Sequence, residues 1–98
     1  MRSNSPWKLV GFEEQLDAWI DRETPPDDLV LIVLPWILTR CENPYQGVRR
    51  AEGFANLWYG QVPRSDDGWG KVVACSYWIE ESTHTVRCDQ FATLSLPL

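Results

Sequence analysis

Two β-rich runs near the C-terminus, joined by a short polar turn, constrain the fold more than any other feature. The runs cover residues 71–79 and 83–94, and the turn between them is Glu80-Glu81-Ser82. Apolar and polar side chains alternate in the first run, as expected for a strand with one buried face. The pattern therefore predicts an antiparallel hairpin, with the turn centred on Glu81-Ser82.

The position of this turn predicts which side chains lie opposite each other. Ile79 is expected to face His84, and Cys75 is expected to face Cys88. Alternation then assigns the core face of the second run to Val86, Cys88, Gln90, Ala92 and Leu94. A more polar row on the other face is predicted to contain Ser76, Trp78, Arg87 and Asp89.

The N-terminal half predicts two helices. Residues 12–22 repeat apolar side chains at helical spacing, with acidic residues on the other side. Residues 29–40 are apolar nearly all round, which predicts a buried helix. Thr24 is its expected N-cap, and Pro35 is expected to kink it, because a proline ring removes one backbone hydrogen bond.

The remaining segments complete an α+β pattern. Residues 7–10 and 54–62 favour strands, residues 45–52 form a polar connection, and residues 63–70 form a turn-rich loop. The element order predicts a small antiparallel sheet of three to four strands, with the two helices packed on one face. A chain of 98 residues is expected to form a single domain over residues 1–98.

Charge and cysteine usage limit the function. The formal net charge is −5, which argues against a general nucleic-acid binder because phosphate binding needs clustered basic residues.

The three cysteines have no zinc spacing, and we expect buried, reduced thiols in a cytoplasmic protein, with a Cys75–Cys88 disulfide as the alternative. The start has no apolar signal-peptide region, and no apolar run is long enough to cross a bilayer. Six tryptophans in 98 residues predict that one or two are partly exposed at a partner surface.

Several short motifs resemble the RelE/ParE superfamily, the toxins of bacterial toxin–antitoxin pairs. After the second predicted helix the chain carries Asn43-Pro44, Gly47, the basic segment Val48-Arg49-Arg50 and Gly53. The segments LWYGQV, KVVACSYWIEE and HTVRCDQF are similar to the last three strands of that family. The predicted order of elements also resembles the family's β-α-α-β-β-β arrangement.

The resemblance implies a toxin that inhibits growth by binding a macromolecule, through ribosome-dependent mRNA cleavage or through DNA gyrase. It implies a cognate antitoxin as partner. The residues themselves, with one histidine and no nucleotide-binding glycine motif, predict no metal and no cofactor. Endoribonucleases of this type need acid–base groups at the 2′-hydroxyl and cations at the phosphate. The candidate catalytic residues are Lys71, Arg87, Tyr59 and His84. The candidate nucleic-acid-binding residues are Arg49, Arg50 and Arg64.

The sequence is compatible with two other functions. The acidic surplus between residues 13 and 28 is also typical of a non-catalytic interaction protein. One example is a phage-encoded inhibitor that blocks a basic nucleic-acid-binding surface. A structural homodimer with tryptophans at its two-fold axis is the third reading.

Overall fold

Two helices follow a short first strand, and four more strands complete the chain. The computed structural model describes residues 5–95. The elements are β1 (Lys8–Val10), α1 (Phe12–Glu23), α2 (Asp27–Thr39), β2 (Arg49–Arg50), β3 (Leu57–Gln61), β4 (Lys71–Glu80) and β5 (Thr85–Ser95). A 3₁₀ turn, Glu81–Thr83, joins β4 to β5. The fold is therefore α+β, with the predicted strands and helices in the predicted order and one added strand, β2.

The sheet is larger and more mixed than the sequence predicts. Its five strands lie in the order β1-β5-β4-β3-β2. The first strand runs parallel to β5, with Leu9 opposite Val86, whereas all the other pairs are antiparallel. The prediction of a purely antiparallel sheet of three to four strands was wrong on both counts. Parallel neighbours need a long crossover, and here everything between β1 and β5 provides it.

The β4–β5 hairpin is confirmed, but its predicted register was wrong. The error is two residues next to the turn and three residues at Cys75, which pairs with Phe91 and not with Cys88. Ile79 pairs with Val86, and Tyr77 pairs with Cys88. The shift arises because the 3₁₀ turn occupies Glu81–Thr83 and His84 adopts a left-handed conformation with φ 54°, so that pairing closes at Glu80 and Thr85. A shift of two residues leaves each side chain on its predicted face.

A β-bulge in β5 changes the faces of its C-terminal half. Ser76 pairs with Gln90 and Tyr77 pairs with Cys88, so Asp89 is an extra residue on β5. Beyond this bulge Phe91 lies in the core at 1% exposure, while Leu94 is 47% exposed. The predicted core positions of Gln90, Ala92 and Leu94 were therefore wrong.

The two helices begin and end within three residues of their predicted bounds. The first buries Phe12, Leu16 and Trp19, and the second buries Val33, Trp36 and Ile37. The N-cap of α2 is Pro26, whereas Thr24 is the left-handed C-cap of α1, so the predicted cap was wrong. Pro35 lies inside α2 without ending it.

The second helix is not buried on all sides. Three leucines of α2 are exposed, Leu31, Leu34 and Leu38. The expectation of a fully buried helix was therefore wrong for this side of it. Neither helix of the described chain has the length and apolar character needed to cross a membrane.

The core lies between the helices and one face of the sheet. Its sheet residues include Val73, Cys75, Tyr77 and Val86, in contact with the buried residues of both helices. Cys75 and Cys88 are free thiols whose sulfur atoms lie 4.0 Å apart. Because the helices pack on this face, the opposite face of the sheet, here called the outer face, is left for other contacts.

Candidate functional site

Alternation along the strands defines the outer face. Residues of β4 that alternate with the buried Val73, Cys75 and Tyr77 point away from the helices. Cross-strand pairing extends this assignment to the neighbouring strands. The outer face carries Arg49, Leu57, Tyr59, Gln61, Val72, Ala74, Ser76, Trp78, Arg87 and Gln90.

An open cleft of about 650 Å³ lies on this face at the β2–β3 edge of the sheet. We call it the outer cleft. Arg49 and Tyr59 reach it from paired positions on β2 and β3, and Arg64 reaches it from the loop after β3. Val72 and Leu94 line its other side. The cleft thus brings together three of the seven site residues predicted from the sequence.

The arginines of the outer cleft carry charges that no ion pair within the described residues neutralises. Arg49 and Arg64 are both exposed. Within residues 5–95, no carboxylate oxygen lies within 4.0 Å of either guanidinium group. In the described chain, Asp66 is the single acidic residue that lines the cleft. An unpaired guanidinium group can bind a phosphate or a carboxylate with two hydrogen bonds, so the cleft is suited to an anionic ligand.

Gly60 allows the chain before β2 to approach β3. A Cβ atom on Gly60 would lie 2.7 Å from Cγ1 of Val48 and 2.9 Å from the carbonyl oxygen of Gly47. These distances leave no room for any other residue unless the neighbouring segment moves. The absence of a side chain at Gly60 therefore helps to place Arg49 beside Tyr59.

Arg87 lies on the outer face but outside the cleft. It forms an ion pair with Glu80 of the adjacent strand, and its side chain is 53% exposed. Its cross-strand neighbours are Trp78 on β4 and Val10 on β1. The positive charge of Arg87 therefore already has a partner within the protein.

Lys71 lies on the opposite face from Arg87 and Tyr59. It shares the alternation of Val73 and Cys75, which point towards the helices. It lines a separate pocket together with Glu23 and Asp67. The structure therefore does not bring Lys71 together with the other candidate catalytic residues.

His84 has a structural position at the end of the β4–β5 turn. Its ring stacks on Trp7, with ring centroids 3.9 Å apart, and its Nε2 atom lies 2.9 Å from the carbonyl oxygen of Ser5. It is also the left-handed C-cap of the 3₁₀ turn. Lys71, at the other end of β4, is separated from it by the length of the hairpin.

Arg50 points to the side of β2 opposite to Arg49. It pairs with Trp58, whose ring packs against the core, and its Nη1 atom donates a hydrogen bond of 3.1 Å to the carbonyl oxygen of Phe54. Of the seven predicted residues, Arg50, Lys71, His84 and Arg87 therefore lie outside the outer cleft.

The comparisons with known proteins return no match. No family model, curated protein or solved structure matches this chain. The described residues also contain no group of three or more side chains that could hold a metal ion. Any function must therefore be argued from the site itself.

The structure adds one charged residue that the sequence analysis did not single out. Arg40 follows α2 and is only 3% exposed. Its Nη1 atom donates hydrogen bonds to the carbonyl oxygen of Gln46 and to the hydroxyl of Tyr77. An arginine at the end of a helix is usually solvated, and the sequence signal that hints otherwise is its position directly after an apolar helix.

Proposed function

We propose that this chain is a RelE/ParE-like toxin component that inhibits growth by binding a macromolecular target through the outer face of its sheet. The outer cleft is the proposed contact with the target. Arg49 and Arg64 would hold phosphate or carboxylate groups there, and Tyr59 would stack on a base or an aromatic side chain.

One observation carries this proposal. The net charge is −5, yet two arginines without an ion-pair partner among residues 5–95 and an exposed tyrosine surround one cleft on the sheet face opposite the helices. A local positive site on an acidic surface favours a defined anionic partner over nucleic acid in general. Both proposed targets, the translating ribosome with its mRNA and the DNA-bound gyrase, offer such groups.

The positions of the candidate catalytic residues favour inhibition by binding. Tyr59 and Arg87 share the outer face, but Lys71 lies on the other face and His84 stacks on Trp7 at the hairpin end. General acid–base catalysis needs its groups within hydrogen-bond reach of one reacting atom. An mRNA endoribonuclease activity is thus the part of the proposal that needs its own assay.

An antitoxin is the proposed partner in the resting state. We expect it to cover the outer cleft with an extended or helical segment. Acidic side chains on that segment would pair with Arg49 and Arg64, and apolar ones would cover the exposed Leu94. Neutralisation then follows because the antitoxin and the target compete for the same surface.

The first test is growth inhibition after induced expression in a bacterial host. Arg49→Gln combined with Arg64→Gln should restore growth at equal protein levels. Arg50→Gln, on the other side of the same strand, should have little effect. Equal rescue by this double variant and by Arg50→Gln would refute the outer cleft as the contact surface.

A second test separates the two targets and addresses catalysis. Purified wild type and Arg87→Ala are added to translating ribosomes, where mRNA cleavage is mapped, and to a gyrase supercoiling assay. Cleavage by wild type that is lost in Arg87→Ala supports the endoribonuclease. Supercoiling inhibition without cleavage supports gyrase binding, and silence in both assays removes the toxin proposal.

A second candidate function is supported by the acidic surface of the helices. Glu13, Glu14, Asp17, Asp21, Asp27 and Asp28 are all exposed. Such a surface suits a non-catalytic protein that blocks a basic nucleic-acid-binding groove. Reversing Glu13, Glu14 and Asp17 to lysine would abolish that activity and would leave contact through the outer cleft in place.

A further inference from the structure

Arg40 is a buried cation whose partners are all neutral. Its Nη1 atom donates to the carbonyl oxygen of Gln46 at 2.7 Å and to the hydroxyl of Tyr77 at 2.9 Å. Its Nε and Nη2 atoms share Oγ1 of Thr39, at 3.2 and 3.0 Å. No carboxylate in residues 5–95 lies within 4.0 Å of it. Arg40 therefore has no counter-ion within the described chain, and burying an ionised side chain without an opposite charge is unfavourable.

The guanidinium group of Arg40 also has donor capacity left. A guanidinium carries five N–H groups, and the hydrogen bonds above use one on Nε, two on Nη1 and one on Nη2. One Nη2 hydrogen therefore has no acceptor within the described chain. The Trp36 ring, 4.6 Å from Cζ, contributes a cation–π contact but no charge.

Arg40 lines a cavity of about 340 Å³ between α2 and the chain around β3. We call this cavity the Arg40 pocket. Ile32, Pro35 and Trp36 form its apolar wall, and Gln46, Gln61 and Arg64 supply polar groups. In the described chain no acidic residue lines it. The volume of this pocket lies in the range of small-ligand sites. The pocket has an apolar wall and a positively charged end.

Arg64 adds a second cation to this pocket. It is exposed, and its backbone is left-handed, with φ 66°. That conformation is uncommon for a residue with a side chain, and it tends to be found where function requires it. Here it places Arg64 in the wall that the Arg40 pocket shares with the outer cleft.

We propose that the Arg40 pocket binds a small organic anion. The carboxylate or phosphate of the ligand lies between Arg40 and Arg64, and its apolar body packs on Trp36 and Ile32. An oxyanion in this position accepts a hydrogen bond from the remaining Nη2–H group and neutralises the buried charge. This proposal goes beyond the macromolecular contact proposed above, because its ligand is small and its main contacts come from α2.

The test is titration calorimetry on the full chain with phenyl phosphate, benzoate and inorganic phosphate. We expect saturable binding of at least one of the two organic anions, at least ten-fold tighter than that of inorganic phosphate. The tighter of phenyl phosphate and benzoate identifies the preferred head group. No saturable binding of any of the three to folded wild-type protein would overturn the proposal.

Variants separate a specific pocket from general charge attraction. Arg64→Gln should weaken binding of the tighter organic anion at least ten-fold. Lys8→Gln, which removes one exposed positive charge at the other edge of the sheet, should change binding less than two-fold. Equal weakening by the two variants, or none by Arg64→Gln, refutes the pocket. Arg40→Lys should abolish binding, and Arg64→Gln decides the question even if Arg40→Lys fails to fold.

Discussion

The Nη1 atom of Arg40 lies 2.9 Å from the hydroxyl oxygen of Tyr77, in the interior of the protein. The same hydroxyl donates a hydrogen bond to the carbonyl oxygen of Pro44. Arg40 in turn donates to the carbonyl oxygen of Gln46. One tyrosine on β4 and one arginine after α2 thus fix the connection that leads to Arg49 and the outer cleft.

We expect Tyr77→Phe to lower the free energy of unfolding by about 2 kcal/mol. The change leaves Pro44 and Arg40 each with one buried hydrogen bond unmade. Each such loss costs about 1–3 kcal/mol, so two losses at the low end of that range give about 2 kcal/mol. Urea unfolding followed by circular dichroism measures the difference. Tyr59→Phe is the control, because Tyr59 is 43% exposed and its hydroxyl has no hydrogen bond within the described chain. Equal losses in the two variants would contradict the role assigned to Tyr77.

Gly60→Ala should also destabilise the protein, by about 1–3 kcal/mol, through steric overlap. The new Cβ would lie 2.7 Å from Cγ1 of Val48 and 2.9 Å from the carbonyl oxygen of Gly47. Because Val48→Ala removes the first of these contacts, the double variant should lose less stability than the sum of the two single changes. The measurement is a double-mutant cycle by urea unfolding. Simple additivity would show that Val48 is not the obstacle.

The three cysteines should react at different rates with a disulfide reagent such as Ellman's reagent. Cys41 is partly exposed, whereas Cys75 and Cys88 are buried. Burial raises the pKa of the Cys75 thiol well above its usual value, and the contact with Cys88 raises it further. Since the thiolate is the reactive form, we expect one fast thiol in the native protein and three in urea. Loss of the fast phase in Cys41→Ser is the control, and two fast native thiols would contradict the burial.

Tyr45 should make stability fall at high pH. Burial, followed by the hydrogen bond from its hydroxyl to Glu81 and by the charge of Glu81, raises its pKa to about 12. The folded state therefore holds this proton between the unfolded value of about 10 and the folded value of about 12. The stabilisation is complete below pH 10 and is lost as the pH rises towards 12.

The measurement for Tyr45 compares urea midpoints of wild type and Tyr45→Phe across this pH range. Wild type should be the more stable protein at about pH 9, and the difference in stability should shrink by about pH 12. Absorbance titration at alkaline pH should show one tyrosine whose midpoint moves down in Glu81→Gln. A pH-independent difference between the two proteins would refute the assignment.

The sequence predicted the hairpin and both helices because their patterns are local. Alternation over residues 71–79 and helical spacing over residues 12–22 each depend on neighbouring residues alone. The same alternation already places Lys71 with Val73, and thus away from Arg87. The parallel pairing of β1 with β5 is different, because its partners are more than 70 residues apart and no local pattern records it.

The candidate site was predictable only in part, for a similar reason. In the sequence, Arg49-Arg50 stands out as an adjacent basic pair. Tyr59 stands out as an aromatic residue in a predicted strand. Their position in one cleft depends on the two-residue strand β2 and on Gly60. The sequence predicts only a polar connection where β2 lies and an ordinary strand position at Gly60. The burial of Arg40 depends on the loop that closes over it, and residue type alone predicts the opposite.

The extra residue at Asp89 shifts the alternation of inward and outward side chains by one position in the last strand. If Asp89 were paired regularly with Ser76 instead of bulging, strict alternation would turn Phe91 towards solvent and would insert Leu94 beneath the helices. The wall that Leu94 gives to the outer cleft would vanish, and the core would lose an aromatic ring. Regular pairing through Asp89 would therefore exchange inside for outside along the whole end of the strand, so this single irregularity shapes the interior and the binding surface together.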